Sequence, residues 1–216
     1  MGRGMQKRLV RKLDLEKAIG EIDPHPAPKA YLEQYTITPQ VAAEILYLAA
    51  YVHEDIIGKS VIDLGCGTGR LAIGAALLGA KETTGVDIDR AAVELARKNS
   101  EKMSAGKKML WVTAALEAIH GRFDTVLQNP PFGVQRRMAD RKFIKRALEL
   151  GDRIYSLHKG GERNQRFIKT FIERHGGNVR GIFHMKTDLP RLFEFHTERK
   201  HSVEVDLYVI EGKARE

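Results

Sequence analysis

Residues 61–70 read Val61-Ile-Asp-Leu-Gly-Cys-Gly-Thr-Gly-Arg70: a short apolar run, a turn carrying three alternating glycines, and the opening of a helix. Gly65, Gly67 and Gly69 let the backbone turn sharply and approach a bulky ligand. The dinucleotide fingerprint spaces its glycines G-x-G-x-x-G and seats a pyrophosphate at a helix N-terminus. Here the spacing is G-x-G-x-G, with Asp63 two residues before the first glycine. A carboxylate there repels a pyrophosphate and suits an ammonium group. Both features favour S-adenosylmethionine over a dinucleotide.

Working outward, short apolar runs alternate with helical stretches from Ser60 onward, the pattern of βαβ units and a parallel sheet. Strands are expected at 60–64, 82–87, 109–113, 125–128, 153–157, 181–185 and 203–210, and helices at 70–78, 90–102, 140–150 and 161–175. Val203, Val205, Leu207 and Val209 alternate with polar neighbours, so the last strand should have one wetter face. Upstream, residues 3–19 are basic with a helical stripe of Leu9, Leu13 and Ile19, and Asp23-Pro-His-Pro-Ala-Pro28 then stops the helix. Thr38-Pro39 reads as a cap and first-turn proline for a helix reaching about residue 51. The expected organisation is an N-terminal basic helix and proline-rich connector over 1–28, followed by one α/β domain over 29–216.

Val86-Asp87-Ile88-Asp89 closes the next strand about twenty residues after the glycine turn, where an acidic side chain accepts the two hydroxyls of a ribose. Asp87 is assigned that role. Asp89 reads as the N-cap of the helix from Arg90.

Residues 124–133, Asp-Thr-Val-Leu-Gln-Asn-Pro-Pro-Phe-Gly, carry the second decisive signal. Asn-Pro alone marks turns, and a second proline only stiffens one. After a glycine loop and a ribose aspartate, however, Asn129-Pro130-Pro131-Phe132 becomes a candidate site for methylating a planar amino group. Its lone pair is delocalised into the ring. Hydrogen bonds from both N–H groups to the Asn129 side-chain oxygen and the Pro130 carbonyl favour a tetrahedral nitrogen able to attack in line. Phe132 would stack on the base and Pro131 would stiffen the loop.

A formal charge of +8 favours a polyanionic partner. The single cysteine, Cys66, excludes an internal disulfide and a cysteine-based metal cluster. No metal is expected. No segment is apolar enough to span a bilayer and no signal peptide is evident, which points to the cytoplasm. Residues 135–146 hold six basic side chains against one acid directly after the candidate pocket. They read either as a solvated helix face or as phosphate contacts from Arg136, Arg137, Arg141 and Lys142. Trp111, Tyr155, His158 and Cys66 are given structural readings.

The glycine loop, Asp87 and Asn129-Pro-Pro-Phe132, in this order, resemble a class I S-adenosylmethionine-dependent methyltransferase of the amino-methylating kind. Leu32-Glu-Gln-Tyr35, Ile154-Tyr-Ser-Leu-His-Lys159, Asp188-Leu-Pro190, Phe195-His196 and Ser202-Val-Glu-Val-Asp-Leu207 narrow it further. From about Pro28 to Leu207 the chain is similar to the methyltransferase-like protein five family, small-subunit rRNA adenine-N6 methyltransferases of eukaryotes and their archaeal relatives. The resemblance implies a Rossmann-like seven-stranded sheet of order 3-2-1-4-5-7-6 with strand 7 antiparallel. It implies that Gln34, Thr36 and Ile37 cover the cofactor and that Gly65, Thr68 and Arg70 line its methionine end. Asp63, Gly67, Gly69, Ile88 and Asn129 complete the expected cofactor set. The family carries an Asp-Val pair after the third strand for the cofactor's adenine. Here those positions are Ala115 and Leu116, so the carboxylate is missing, with Glu117 as a neighbouring substitute. The family's eukaryotic members work with a small zinc-binding activator protein, which would dock at the sheet edge near Met109–Thr113. Guanine N2 in rRNA and glutamine N5 in protein remain alternative acceptors, and a non-catalytic RNA-binding assembly factor is the alternative of another class.

Overall fold

The computed structural model describes residues 10–29, 32–34, 36–105, 109–132, 139–190 and 200–213. The helices are α1 (Lys12–Gly20), α2 (Pro39–Tyr47), α3 (Arg70–Leu77), α4 (Arg90–Lys102), α5 (Ala139–Leu150) and α6 (Glu162–Arg174). The strands are β1 (Ser60–Leu64), β2 (Glu82–Asp87), β3 (Met109–Thr113), β4 (Phe123–Gln128), β5 (Gly151–Lys159), β6 (Asn178–Pro190) and β7 (Lys200–Glu211). They form one sheet of order β3-β2-β1-β4-β5-β7-β6, in which β7 runs antiparallel to both its neighbours. The expected fold class is borne out.

Local chemistry accounts for the element boundaries. Thr38 caps α2, its hydroxyl accepting from the Val41 N–H, and Pro39 occupies the first turn, where a missing N–H costs nothing. The helix ends in a wider turn at Leu48–Val52. Asp89 caps α4 through the Ala91 N–H at 3.2 Å, as its position suggested. Helix α3 has no such cap, because its N-cap is Gly69 at φ 88°. The buried Asp63 carboxylate takes over, accepting the Ala72 N–H at 3.1 Å.

The core lies on both faces of the sheet. On one side, α1, α2 and α3 pack Leu15, Ile19, Ile45, Leu46 and Ile73 against Leu127, Tyr155 and Leu207. On the other, α5 and α6 pack Ile144, Leu148, Ile168 and Ile172 against Ile62, Leu64, Val126 and Ile154. β5, β6 and β7 run longer than their apolar patterns suggest. Their ladders continue through polar residues such as Lys186 opposite Glu204, because backbone pairing does not need an apolar side chain.

Candidate active site

Sheet register sets the site. Leu64 and Gln128 are paired neighbours on the parallel strands β1 and β4. Gly65 and Asn129, which follow them, therefore leave the sheet side by side at roughly one strand spacing, about 5 Å. Strand order reverses between these two strands, and open α/β sheets bind ligands beyond the carboxyl ends at that point. A cavity of about 600 Å³ opens there, within the range that takes small-molecule cofactors.

The cavity brings together most of the expected residues. Asp63, Gly65, Gly67, Thr68 and Arg70 line it from the glycine turn, Asp87 and Ile88 from the end of β2, and Ala115 and Leu116 from the turn after β3. Gln34, Thr36 and Ile37 also line it, as do Asn129 and Pro131 after β4. Gly69 lies behind the turn, where a Cβ would sit 2.6 Å from the Trp111 ring. Pro130 is buried, and Phe132 packs partly buried against the core rather than lining the cavity. Arg136 and Arg137, together with Tyr35, Phe195 and His196, fall outside the described residues.

Two carboxylates form the acidic floor. Asp87 accepts the N–H groups of Gly67 and Asp89, both at 2.9 Å, which ties the second strand to the glycine turn. Burial pushes the Asp63 carboxyl up to about 7, with Asp87 nearby adding to the shift and the Ala72 N–H opposing it. Burial likewise raises the Asp87 carboxyl. Such a floor gains from a cationic ligand, because a positive charge in a poorly solvated site offsets the cost of ionising both acids.

Arg70 was expected at the methionine end. It does line the cavity, but its guanidinium is committed to three main-chain carbonyls, those of Ile19 (3.2 Å), Ile22 (3.4 Å) and Ile37. It thereby fastens the N-terminal segment to the glycine turn. The same segment contributes His25, which the sequence reading missed. Its Nδ1 accepts the Ala27 N–H, while Nε2 lines the cavity 3.7 Å from Asp89 without a hydrogen-bond partner among the described residues. A histidine between two prolines carries no sequence signal of this role. Asp89 itself receives Lys29 (2.9 Å) and Gln34 (2.8 Å), so the covering segment is tied to the end of β2. Burial would raise the Asp89 carboxyl, but the hydrogen bonds from Gln34 and Lys29 hold it below the usual range.

These residues fit S-adenosylmethionine. Thr68 Oγ1 and His25 Nε2 are buried polar atoms of the wall that lack partners among the described residues. No atom lies within 4 Å of a Cβ built on Gly67, which leaves the cradle open for a ligand. Glu117, the candidate substitute for the carboxylate absent at Ala115, lines the cavity from its rim, 69% exposed and 3.7 Å from Lys142.

Asn129 is decisive on the acceptor side. Its Oδ1 is buried and has no hydrogen-bond donor among the described residues, an arrangement that is costly unless a ligand supplies an N–H.

Comparison with known proteins agrees with this geometry. The methyltransferase small domain model matches residues 42–164. The rRNA N(6)-adenosine-methyltransferase Mettl5 of Drosophila melanogaster is 35% identical, with 96% of this chain and 98% of the relative covered. The chain belongs to the methyltransferase-like protein five family. An uncharacterized protein of Methanocaldococcus jannaschii is 38% identical over 94% of this chain and 95% of its own length. A crystal structure from Pyrococcus horikoshii, described as a candidate RNA methyltransferase, superposes with a TM-score of 0.88 at 37% identity, covering 96% of this chain and 100% of that one.

In this family member a buried polar string supports the acceptor loop from below. Gln128 Nε2 donates to Ser156 Oγ at 2.7 Å, and Ser156 Oγ lies 2.6 Å from His158 Nε2. Burial pushes His158 down to about 3, so its ring is neutral at neutral pH. Tyr155 donates to Asp55 at 2.6 Å on the other face. Both residues are thus wall and core, as the sequence suggested. Trp111 and Cys66 are structural as well: Cys66 is 7% exposed, and burial raises its thiol well above its ordinary range.

Proposed function

We propose that this chain transfers the methyl group of S-adenosylmethionine to N6 of an adenosine in RNA, most specifically in small-subunit rRNA, and that it does so in the cytoplasm. The observation that carries the reading is the buried Asn129 Oδ1 beside the cavity, which has no donor among the described residues, in a family whose named relatives are rRNA adenosine methyltransferases. Bound S-adenosylmethionine supplies an electrophilic sulfonium methyl.

The chain's own residues do the positioning. Asp87 takes the ribose, the acidic floor at Asp63 faces the cationic end, and Gln34, Thr36 and Ile37 exclude water from above. Asn129 Oδ1 and the Pro130 carbonyl accept the two N–H bonds of the base, which localises its lone pair toward the methyl group. No strong base is needed before attack, and the proton leaves to water afterwards. The target must be unpaired or flipped to enter, at a cost of a few kcal/mol. Arg141 and Lys142 at the cavity wall would meet the RNA backbone.

The test is methylation of small-subunit rRNA by wild type and Asn129→Ala, followed by nucleoside analysis. N6-methyladenosine from wild type, reduced by 10²-fold or more in the variant, is expected. Methylguanosine as product would replace adenine as the acceptor, and transfer to a ribosomal protein in place of rRNA would move the acceptor to glutamine. Equal N6-methyladenosine from both proteins would remove Asn129 from the mechanism, and no binding of S-adenosylmethionine would favour a non-catalytic RNA-binding role.

The reading extends to a partner. β3 is the first strand of the sheet order, and Leu110 on it is 60% exposed. A small zinc-binding activator adding a strand there would cover this edge. Leu110→Arg should abolish its co-purification, whereas full activity without any gain from such a protein would count against docking.

A further inference from the structure

An exposed aromatic ring lies beside the site and takes no part in the chemistry above. Phe167 on α6 is 38% exposed. The guanidinium carbon of Arg141 lies over its ring, 4.5 Å from the centroid, and Phe171, one helical turn on, stacks at 6.1 Å and 29°. Arg141 and Phe171 both line the cavity that holds Asn129. Phe167 itself faces a separate shallow depression at the β5–α6 turn, bounded by Lys159, Gly160, Glu162, Arg163 and Asn164. The ring therefore stands between the cavity and a second recess.

Topology puts that recess on the acceptor side. Gln128, just before Asn129, pairs with Ser156 on the neighbouring parallel strand. Lys159 lies three residues further along that strand, roughly 7 Å beyond the sheet level of Asn129. Charge points to the occupant. Among the described residues, no carboxylate forms an ion pair with Lys159, Arg163 or Arg166, and Glu162 is the acidic member of the rim. Arg163 precedes Phe167 by four residues, so it shares that face of the helix. An exposed aromatic ring flanked by unpaired cations is the composition that stacks single-stranded bases and follows their phosphates.

We propose that Phe167 is the stacking platform for a nucleotide adjacent to the flipped adenosine, with Lys159 and Arg163 taking its phosphates and Arg141 holding the ring in place. This rests on the RNA reading above and deepens it. Stacking is tolerant of base identity, so the subsite would hold the strand against the enzyme without choosing its sequence. Unpaired RNA would be favoured, since only an unstacked neighbour offers its face to the ring.

The test uses the full chain and a single-stranded oligoribonucleotide with one adenosine flanked by 2-aminopurine. Binding to wild type should quench the 2-aminopurine fluorescence. Phe167→Ala should lose the quenching and raise the KM for RNA about tenfold with a much smaller fall in kcat, and Phe167→Tyr should restore both. Binding of S-adenosylmethionine, read by calorimetry, checks that the variants are folded. Lys159→Gln with Arg163→Gln should flatten the salt dependence of binding. If wild type methylates adenosine in RNA and Phe167→Ala keeps both the quenching and the RNA KM, the subsite is overturned while the function stands. Loss of protein-partner binding with RNA KM unchanged would overturn it in favour of a protein surface. A wild-type chain that transfers no methyl group to RNA would overturn both.

Discussion

Trp111 stands directly beside Gly85 in the sheet, and its ring fills the space that a Cβ on residue 85 would need. The same ring backs Gly69 at the end of the cofactor turn, and its indole N–H is held by Ser100 Oγ at 3.1 Å. One side chain thus sets two glycines, one of them outside the glycine motif. Gly85→Ala should destabilise the protein by roughly 2 kcal/mol through overpacking. In a Trp111→Leu background the same change should cost less than about 1 kcal/mol, because the obstacle is gone. Urea unfolding of the four proteins measures the coupling, and equal costs in both backgrounds would sink it.

Arg70 is a structural clamp. Arg70→Met removes the donors to Ile19, Ile22 and Ile37 and leaves three carbonyls short of partners. A loss of roughly 3 kcal/mol, or about 6–12 °C in Tm, is expected. Affinity for S-adenosylmethionine should fall as well, because Ile37 is part of the cavity wall. A variant with unchanged Tm but weakened cofactor binding would instead assign the guanidinium to the ligand.

Asp63 should make cofactor binding depend on pH. Its carboxyl is raised by burial to about 7 in the folded chain, against roughly 4 when unfolded. The sign follows. The folded protein holds this proton through the acid range, so the stability it contributes is fully present below about pH 4 and is lost as pH rises through about 7. A cationic ligand favours the ionised form, so the affinity for S-adenosylmethionine should increase from pH 6 to pH 8 with release of a proton below pH 7. Calorimetry in buffers of different ionisation enthalpy reads that proton. Asp63→Asn should flatten the profile, and a wild-type profile already flat would refute the linkage.

Asp89 ties the covering segment down through Lys29 and Gln34 and caps α4 at once. Asp89→Ala should cost about 1 kcal/mol of stability from the lost cap. It should also weaken S-adenosylmethionine binding about tenfold, since Gln34 loses its anchor. Asp89→Asn, which keeps the cap acceptor, should recover most of the stability and only part of the affinity. Equal affinity in all three proteins would show that Gln34 is placed without Asp89.

Much of the site was readable because its signals are local. The G-x-G-x-G turn, Asp87 and Asn129-Pro-Pro-Phe132 each follow a strand whose apolar run is visible, and β1, β2, β3 and α4 have the expected limits. Residues that act across the fold were not readable in this way. Asp63 substitutes for a missing cap nine positions away, His25 reaches the cavity from between two prolines, and Phe143 on α5 packs against Gly65, where a Cβ would lie 2.9 Å from its ring. The charge of Arg141 is legible in the sequence, but the seating of its guanidinium over the Phe167 ring of another helix is not.

The sequence by itself determined the alternation of strands and helices and the order of the cofactor and acceptor motifs along the chain, because turn chemistry and apolar periodicity are properties of neighbouring residues; the sheet order followed only from the family resemblance that those motifs carry. Only the tertiary structure decided that Asn129 Oδ1 is buried beside the glycine turn without a donor among the described residues, and that Trp111, Arg70 and Asp89 hold the cavity wall. Those relations join residues far apart in the chain, and their energies come from desolvation and close packing, which exist only once the sheet has brought them together.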